Sequence, residues 1–357
     1  MSHERLQNGI GFPQQKVRLS PVRLNNPQKL CYVSEMMTKR SYTGWCMTSF
    51  GVFHMNRAML TGILASFFYA FTFILNRSMN LSGGFFGWSA SLRYIFACVI
   101  LFACLLVRHE AEPVIRAVKD SPLYWLVWST VGFGFFYLPL TLGSLFGESW
   151  FTAATWQITI VCGILLTPLF HKRIPWKNFL ISCLILVGVA LLQVRNIHAG
   201  GIRQNAFALI PILIAAFCYP LGNRKMMEKT GAELSTLQRV AGMTLCSLPF
   251  FVITAVISRI VSGTPSAGQI FQCFLVALFS SVIATILFFH ATDLVRNNPG
   301  QLAAVEATQC GEVLFTLLLG VLVLHDPVPD PAGILGIFLI SAGIVINSFI
   351  SAKNKIS

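Results

Sequence analysis

The chain has 357 residues, of which 55% are hydrophobic and only 11% charged, and its mean hydropathy is +0.69. Soluble domains carry roughly 25% charged residues, so the composition excludes an ordinary soluble protein. The formal net charge of +13 does not indicate a nucleic-acid-binding protein, because the basic residues lie between apolar blocks rather than on one face.

Residues 1–54 differ from the rest of the chain. They are polar, rich in Gln, Asn and Pro, and contain no apolar block of spanning length. They also lack the apolar centre of a secretory signal. We expect either that the functional protein starts near Met55, which N-terminal sequencing of the native protein would test, or that the segment is a disordered cytoplasmic tail.

From residue 55 onward, ten apolar blocks predict an all-α integral membrane protein with ten transmembrane helices. Short connectors rich in Gly, Pro or charged residues separate the blocks. The predicted spans are 58–76, 84–107, 122–143, 150–170, 177–194, 205–222, 238–258, 268–290, 301–324 and 332–351.

The distribution of lysine and arginine predicts the orientation of these spans. Of the 26 basic residues, 20 fall on the same side as the N terminus, four on the opposite side and two, Arg93 and Arg239, within spans. Basic residues accumulate in cytoplasmic loops. Both termini are therefore predicted to be cytoplasmic, in a multi-pass protein of the cell membrane.

The two halves of the chain resemble each other in short motifs. Asn-Arg occurs at 76–77 and again at 223–224, and a segment that begins with His and ends with Pro occurs at 171–175 and 325–329. Each of the two segments that run from His to Pro precedes the last apolar span of its half. Chance similarity between apolar helices is the alternative interpretation.

The charges of the two equivalent connectors point to an inverted repeat. The connector 171–177 carries three basic residues, whereas its counterpart 325–331 carries two aspartates and no lysine or arginine. Five spans per half would insert the second half upside down, which places these two connectors on opposite sides of the membrane. We therefore predict a first five-helix repeat at 55–200 and a second at 201–357, an arrangement typical of alternating-access carriers.

Three stretches resemble a known family: GILASFFYAFTFILNR at 62–77, WSASLRY at 88–94 and NPGQLAAVEATQ at 298–309. They are similar to the putative multidrug resistance efflux transporter family, an EamA-like, ten-helix branch of the drug/metabolite transporter superfamily. The resemblance covers about 55–352 and implies two inverted five-helix halves, a bacterial inner membrane and efflux of small molecules. The distantly related four-helix exporters use a glutamate in their first helix, but span 58–76 contains no acidic residue, so their mechanism is not carried over.

Polar residues within the ninth span are the first candidates for a site. Glu306, Gln309 and Glu312 fall on one sector of a helix, and Glu312 lies near the middle of the span. A carboxyl group at that depth could exchange a proton for a cationic substrate. The alternative is that these groups only form hydrogen bonds with neighbouring helices.

Arg93 lies deep in the second span and needs a carboxylate or several carbonyl groups as partners. Pairing with Glu306 or Glu312 would make a gate or an anion clamp, and a tie to main-chain carbonyls is the alternative. Arg239 is closer to a membrane edge and is expected to reach the surface.

The fourth span adds further candidates. Glu148 and Trp150 lie at its outer mouth, where Trp150 is either an interface anchor or a cavity wall. Gln157 lies two turns inside. An aromatic pocket for a flat or cationic substrate could include Tyr69, Trp156 and Tyr219.

The chain contains no P-loop, HExxH helix or nucleophile elbow, and its ten cysteines show no metal-binding spacing. We therefore predict no enzyme, no cofactor and no metal. The predicted function is a secondary carrier that exports drugs or metabolites, with protons or another ion as a candidate coupling partner and a homodimer left open. The alternatives are an amino-acid or metabolite permease without a role in multidrug resistance, and a non-transporting membrane subunit or sensor.

Overall fold

The computed structural model describes residues 56–171, 174–231, 233–295 and 298–356, so the N-terminal segment and the predicted start near Met55 lie outside the described residues. Within these ranges the protein is built from α-helices joined by short connectors, and no strand occurs. This confirms the predicted all-α membrane protein. The long helices are α1 Asn56–Leu81, α2 Phe86–Val107, α4 Pro122–Phe146, α6 Trp176–Val194, α7 Gly201–Thr230, α8 Thr236–Ser262 and α9 Ala267–Val295.

The remaining helices are shorter or amphipathic, except the last. They are α3 Ala111–Asp120, α5 Ser149–Leu165, α10 Pro299–Ala307, α11 Cys310–Val323 and α12 Pro331–Ile356. Nine helical stretches in the described residues are long and apolar enough to cross a membrane: the seven long helices, the first part of α12, and Ala304–Val323, which runs from the end of α10 through α11. The helix α5 is the shorter tenth. The predicted spans match these helices to within a few residues at most ends. The exception is the sixth, which extends to Thr230 rather than 222.

Successive spans run in opposite directions. We call the membrane face at which α1 begins the near face and the face at which it ends the far face. Asn178 at the start of α6 donates to the Asn347 amide oxygen late in α12 (2.8 Å). Asn80 at the end of α1 likewise donates to the main-chain oxygen of Ser144 at the end of α4 (3.1 Å). These pairs place helix ends together at the near and far faces, respectively.

Side-chain caps define several of these helix ends. Ser235 and Gln238 form a capping box at the start of α8, in which each side chain accepts a hydrogen bond from the other's main-chain N–H. Ser266 caps α9 and Asp330 caps α12 with one hydrogen bond each, accepted by the side chain from the main-chain N–H three residues on. Such caps satisfy N–H groups that would otherwise lack partners where the chain leaves the membrane.

Two spans are interrupted in the middle, where the sequence predicts continuous helices. In α5 the main-chain N–H of Gln157 bonds to the oxygen of Ala154, three residues back (3.2 Å). Between α10 and α11 the N–H of Gln309 bonds to the oxygen of Glu306 in the same way (3.2 Å). Tight i→i−3 bonding within a helix often marks a functional hinge. The predicted spans 150–170 and 301–324 each contain one of these interruptions.

Two other spans contain a wide turn. In α4 the π-helical segment is Thr130–Gly134, and in α9 it is Ala277–Ala284. Each belongs to the third span of its half, and each interrupted span is the fourth. His171 and His325, which follow the fourth spans, both adopt a left-handed conformation with φ of 56° and 55°. The two halves thus share their departures from regular helix.

Small residues allow the helices to approach closely. A methyl group added to Gly222 of α7 would lie 2.3 Å from the Cα atom of Gly132 in α4. A methyl group on Gly188 of α6 would lie 2.6 Å from the main-chain oxygen of Gly336 in α12. Glycine at these crossings permits backbone contact between membrane helices. Between the halves, the backbone leaves helical geometry at Gly201, which has a φ of 80°.

The helix α3 was not among the predicted spans. It has only ten residues and alternates charged and apolar positions, so it produces no apolar block. Its two buried residues, Ala111 and Val114, pack on Leu101, Leu105 and Ala241 at the near face.

Candidate functional site

A cavity of about 300 Å³ lies in the middle of the bundle. Its wall includes residues from α1, α2, α4, α5, α7, α8, α9 and the junction of α10 with α11. In α7 and α8 the lining residues, Asn223 and Thr244 among them, come from the halves of the helices closer to the near face. The cavity therefore extends from mid-bundle toward that face.

Most of the residues predicted for the site line this one cavity. Those on its wall are Tyr69, Arg93, Trp156, Gln157, Tyr219, Gln309 and Glu312. Glu306, the eighth candidate, lies one turn before the α10–α11 junction, is half-buried and is not on the wall. The predicted polar sector of the ninth span thus contributes Gln309 and Glu312 to the cavity but not Glu306.

Glu312 lies at the start of α11, directly after the interruption of the ninth span. The side chain of Gln157, from the interruption of the fourth span, lines the same cavity. The two interruptions therefore bring one carboxyl group and one amide together at mid-bundle. Half-helix ends of this kind provide polar groups for substrates and ions in secondary transporters.

Arg93 is buried, with 7% of its surface exposed, and lies on the cavity wall. Its Nε and Nη2 atoms donate to the hydroxyl groups of Ser281 and Ser280, both at 3.2 Å. Its guanidinium group lies over the ring of Tyr137, with Cζ 4.0 Å from the ring centroid. Both serines belong to the π-helical segment of α9, so the wide turn presents two adjacent hydroxyl groups to one guanidinium group.

The predicted pairing of Arg93 with Glu306 or Glu312 is wrong for this structure. None of the ion pairs between described residues involves Arg93. The alternative, a tie to main-chain carbonyls, is also wrong, because its partners are hydroxyl groups and an aromatic ring. Its Nε and Nη2 atoms bond to Ser281 and Ser280, and Nη1 is buried with no hydrogen-bond partner among the described residues.

Further hydrogen bonds hold these partners in place. The side chain of Asn76 both donates to and accepts from the Tyr137 hydroxyl group, at 3.0 and 3.2 Å. The Thr72 hydroxyl group donates to that of Ser280 at 2.6 Å. Sequence reasoning did not select these residues. The available signal was weak, because serine and threonine within apolar spans usually bond to their own helix.

One side of the cavity is aromatic. The rings of Phe136, Trp156 and Tyr219 form a cluster with centroid distances of 4.8 to 5.7 Å. Tyr69 lies apart from this cluster, with its hydroxyl group 3.5 Å from that of Thr285. The three predicted aromatic residues therefore line the same cavity, but only two of them contact each other.

The other three residues considered at sequence level lie away from the cavity. Glu148 is the N-cap residue of α5 and is half-buried. Arg239 lies in the first turn of α8 near the surface, also half-buried. Trp150 is fully buried, and its Nε1 donates to the main-chain oxygen of Pro327 (3.2 Å). Trp150 is thus neither an interface anchor nor a cavity wall.

A buried aspartate joins three elements of the bundle at the far face. The Oδ1 atom of Asp326 accepts from Arg77 Nε at 3.3 Å. Its Oδ2 atom accepts from the main-chain N–H of Ser149 at 3.0 Å and from the Ser149 hydroxyl group at 2.6 Å. We call these three residues the far-face latch. It joins the end of α1 and the start of α5 to the α11–α12 turn.

Comparison with known proteins gives the family. Residues 56–353 match the family described as "Putative multidrug resistance efflux transporter". The uncharacterized protein YjlA of Bacillus subtilis is 46% identical over 84% of this chain and 96% of its own length. An uncharacterized 42.1 kDa protein of Shouchella clausii is 42% identical over 72% of this chain and 70% of its own length.

Two more distant matches are consistent with a multi-pass membrane protein. The uncharacterized inner membrane transporter YedA of Escherichia coli is 22% identical over 61% of this chain and 68% of its own length. A solved crystal structure aligns with a TM-score of 0.56 at 14% identity, covering 84% of this chain and 99% of that one, which shows a shared fold. With a family match across nearly all of the described helices, the chain belongs to the putative multidrug resistance efflux transporter family of multi-pass membrane transporters.

Proposed function

We propose that the protein is a secondary transporter that exports small organic molecules across the cell membrane by alternating access. The observation that carries this proposal is the mid-bundle cavity, lined by Arg93 and Glu312 and located at two interrupted helices. Charged residues at this depth are costly and mark transport pathways. The cavity extends toward the near face while the far-face latch joins helix ends at the other face, as expected of one end state of such a cycle.

The proposed cycle moves the two halves, 55–200 and 201–357, relative to each other around the cavity. Their shared features support an inverted repeat: a π-helical segment in the third span, an interruption in the fourth and a left-handed histidine after it. The near face would be cytoplasmic, in agreement with the lysine and arginine distribution. The name of the relative YedA supports an inner-membrane location.

The orientation can be tested at the two equivalent histidines, both of which are exposed. In a cysteine-free background, His325→Cys should react with a membrane-impermeant maleimide added to intact cells. His171→Cys should react only after the cells are permeabilised. Labelling of both positions from the same side would contradict the inverted repeat and the proposed cycle.

Transport itself can be tested in proteoliposomes. We expect protein-dependent efflux of at least one class within a panel of organic cations, anions and neutral metabolites, in comparison with protein-free liposomes. If Glu312 exchanges protons, imposing a pH gradient should accelerate that flux and a protonophore should remove the acceleration. Absence of protein-dependent flux for every class would favour a non-transporting membrane subunit.

A further inference from the structure

The Asn-Arg motif that recurs in the two halves places one arginine toward each face, Arg77 toward the far face and Arg224 toward the near face. Arg77 pairs with Asp326, which directly follows a left-handed histidine. In the sequence, the residue that follows the equivalent histidine of the first half is Lys172. The carboxylate that completes the far-face latch therefore has a basic residue as its counterpart in the first half.

Arg224 is half-buried where the end of α5 meets α7. A methyl group added to Gly163 of α5 would lie 3.4 Å from its Nη2 atom, and its Cζ atom lies 5.9 Å from the ring centroid of Phe170. Among the described residues, this guanidinium group forms neither a hydrogen bond nor an ion pair. A basic side chain that only reaches for water extends away from the protein. This one keeps its N–H donors beside the bundle, where a phosphate group could accept from two of them at once.

The last two turns of α7 carry an excess of positive charge. Residues 224–230 contain three basic residues and one acidic residue, Glu228. Glu228 pairs with Lys225 at 2.9 Å, and its side chain is 52% exposed. An ion pair this exposed is weak, so the lysine can still bind a second anion. In the part of the chain that the structure describes, Arg224 and Lys229 have no acidic partner.

Aromatic rings lie beside these cations. The Nζ atom of Lys225 lies 5.0 Å from the ring centroid of Phe170, the same ring that the preceding arginine contacts, and 6.0 Å from that of Trp128. The Nζ atom of Lys229 lies 5.8 Å from the ring centroid of Tyr124. Tryptophan and tyrosine are typical of the headgroup level of a membrane. The positive charges therefore lie at the level of lipid phosphate groups.

We infer that this near-face surface binds the headgroup of an anionic phospholipid. Arg224 and Lys225 would hold the phosphate oxygens, Lys229 would add to the attraction, and the neighbouring rings would contact the upper acyl chains. The lipid would supply the negative charge that Asp326 supplies at the far face. A lipid fits better than a soluble anion, because the cations and the rings lie together at the membrane edge and cytoplasmic leaflets are rich in anionic lipids. Binding here does not depend on what the cavity carries.

Native mass spectrometry of the purified, detergent-solubilised protein tests the inference directly. The protein is titrated with phosphatidylglycerol and with phosphatidylcholine of identical acyl chains, which carries a phosphate group but no net charge. Phosphatidylglycerol should bind about 10-fold or more tightly, because each basic residue near an anionic lipid contributes about 5-fold. This comparison uses the unmodified protein, so it does not depend on any variant folding.

Variants then assign the surface. Replacing both Arg224 and Lys225 with glutamine should remove most of the preference for phosphatidylglycerol, and Arg224→Lys alone should give an intermediate result because it keeps the charge but loses the forked donors. The matched control replaces Arg116 and Lys119 with glutamine, which removes the same charge from exposed positions of α3 at the same face. This control should keep the full preference.

Each contrary outcome has a distinct meaning. Equal binding of the two lipids by the unmodified protein would overturn the inference. A preference that survives in the double variant, or that falls equally in the α3 control, would show that the anionic lipid binds elsewhere or responds only to the total charge of the face. Displacement of phosphatidylglycerol by inorganic phosphate at similar concentrations would assign the surface to a soluble anion and overturn the lipid site.

Discussion

Glu312→Gln is expected to reduce transport to background, by about 100-fold or more, the scale of loss when an essential proton-transferring group is removed. Glutamine has nearly the same shape as glutamate, so the cavity should keep its form. It cannot carry a negative charge or release a proton. Initial rates in proteoliposomes, normalised to the amount of folded protein, measure the effect.

The matched control for this variant is Glu112→Gln, whose side chain is 79% exposed on α3 and is not part of the cavity wall. It should transport at the parental rate. Counterflow without a pH gradient separates two roles for Glu312, since a residue needed only for proton coupling would leave exchange intact. Unchanged net transport by Glu312→Gln would show that the carboxyl group at the ninth-span interruption is structural.

Asp326→Asn should weaken the far-face latch and favour a state open at the far face. The aspartate side chain is 2% exposed and bonds to Arg77 and twice to Ser149. Loss of its charge should destabilise the closed state by about 2 to 3 kcal/mol, the range for hydrogen bonds to charged groups. A cysteine in place of Leu140, which lines the cavity in the far half of α4, should then react about 10-fold or more faster with a maleimide added at the far face.

The exposed pair of Arg108 and Glu110 provides the control for the latch, since its partners are 60% and 34% exposed. Glu110→Gln should change neither the reactivity of the cysteine nor the melting temperature. Arg77→Gln should act in the same direction as Asp326→Asn, and the double variant should add little because both remove one interaction. Reactivity that does not change in either latch variant would mean that the latch does not control access.

The helices and most of the cavity residues could be predicted because a segment that crosses the hydrocarbon core of a membrane must be almost entirely apolar. Spans need about 20 apolar residues, so Arg93, Gln157 and Glu312 stand out as polar residues within apolar segments. Because exposing such polar groups to hydrocarbon is costly, they are expected to face the same interior cavity. Helix periodicity predicts that Glu306 joins them only if the ninth span is a continuous helix, and the structure breaks that span at Gln309 and leaves Glu306 off the cavity wall.

Other features could not be predicted because they depend on contacts between distant parts of the chain. The burial of Asp326 depends on Arg77 and Ser149, which are remote in sequence. The partners of Arg93 come from a π-helical segment, and a change in main-chain hydrogen bonding has no signature in an apolar sequence. For the same reason Ser280 and Ser281 look like ordinary small packing residues.

The interrupted helices have a consequence for mutagenesis. Where main-chain bonding changes from i→i−4 to i→i−3, carbonyl oxygens lose their usual partners and become acceptors for other groups. At the fourth-span break one of these oxygens, on Ala153, accepts from the side chain of Gln157 (3.3 Å). A main-chain oxygen remains in place whatever side chain is substituted. Alanine scanning of the cavity will therefore underestimate the contribution of the main chain to substrate recognition.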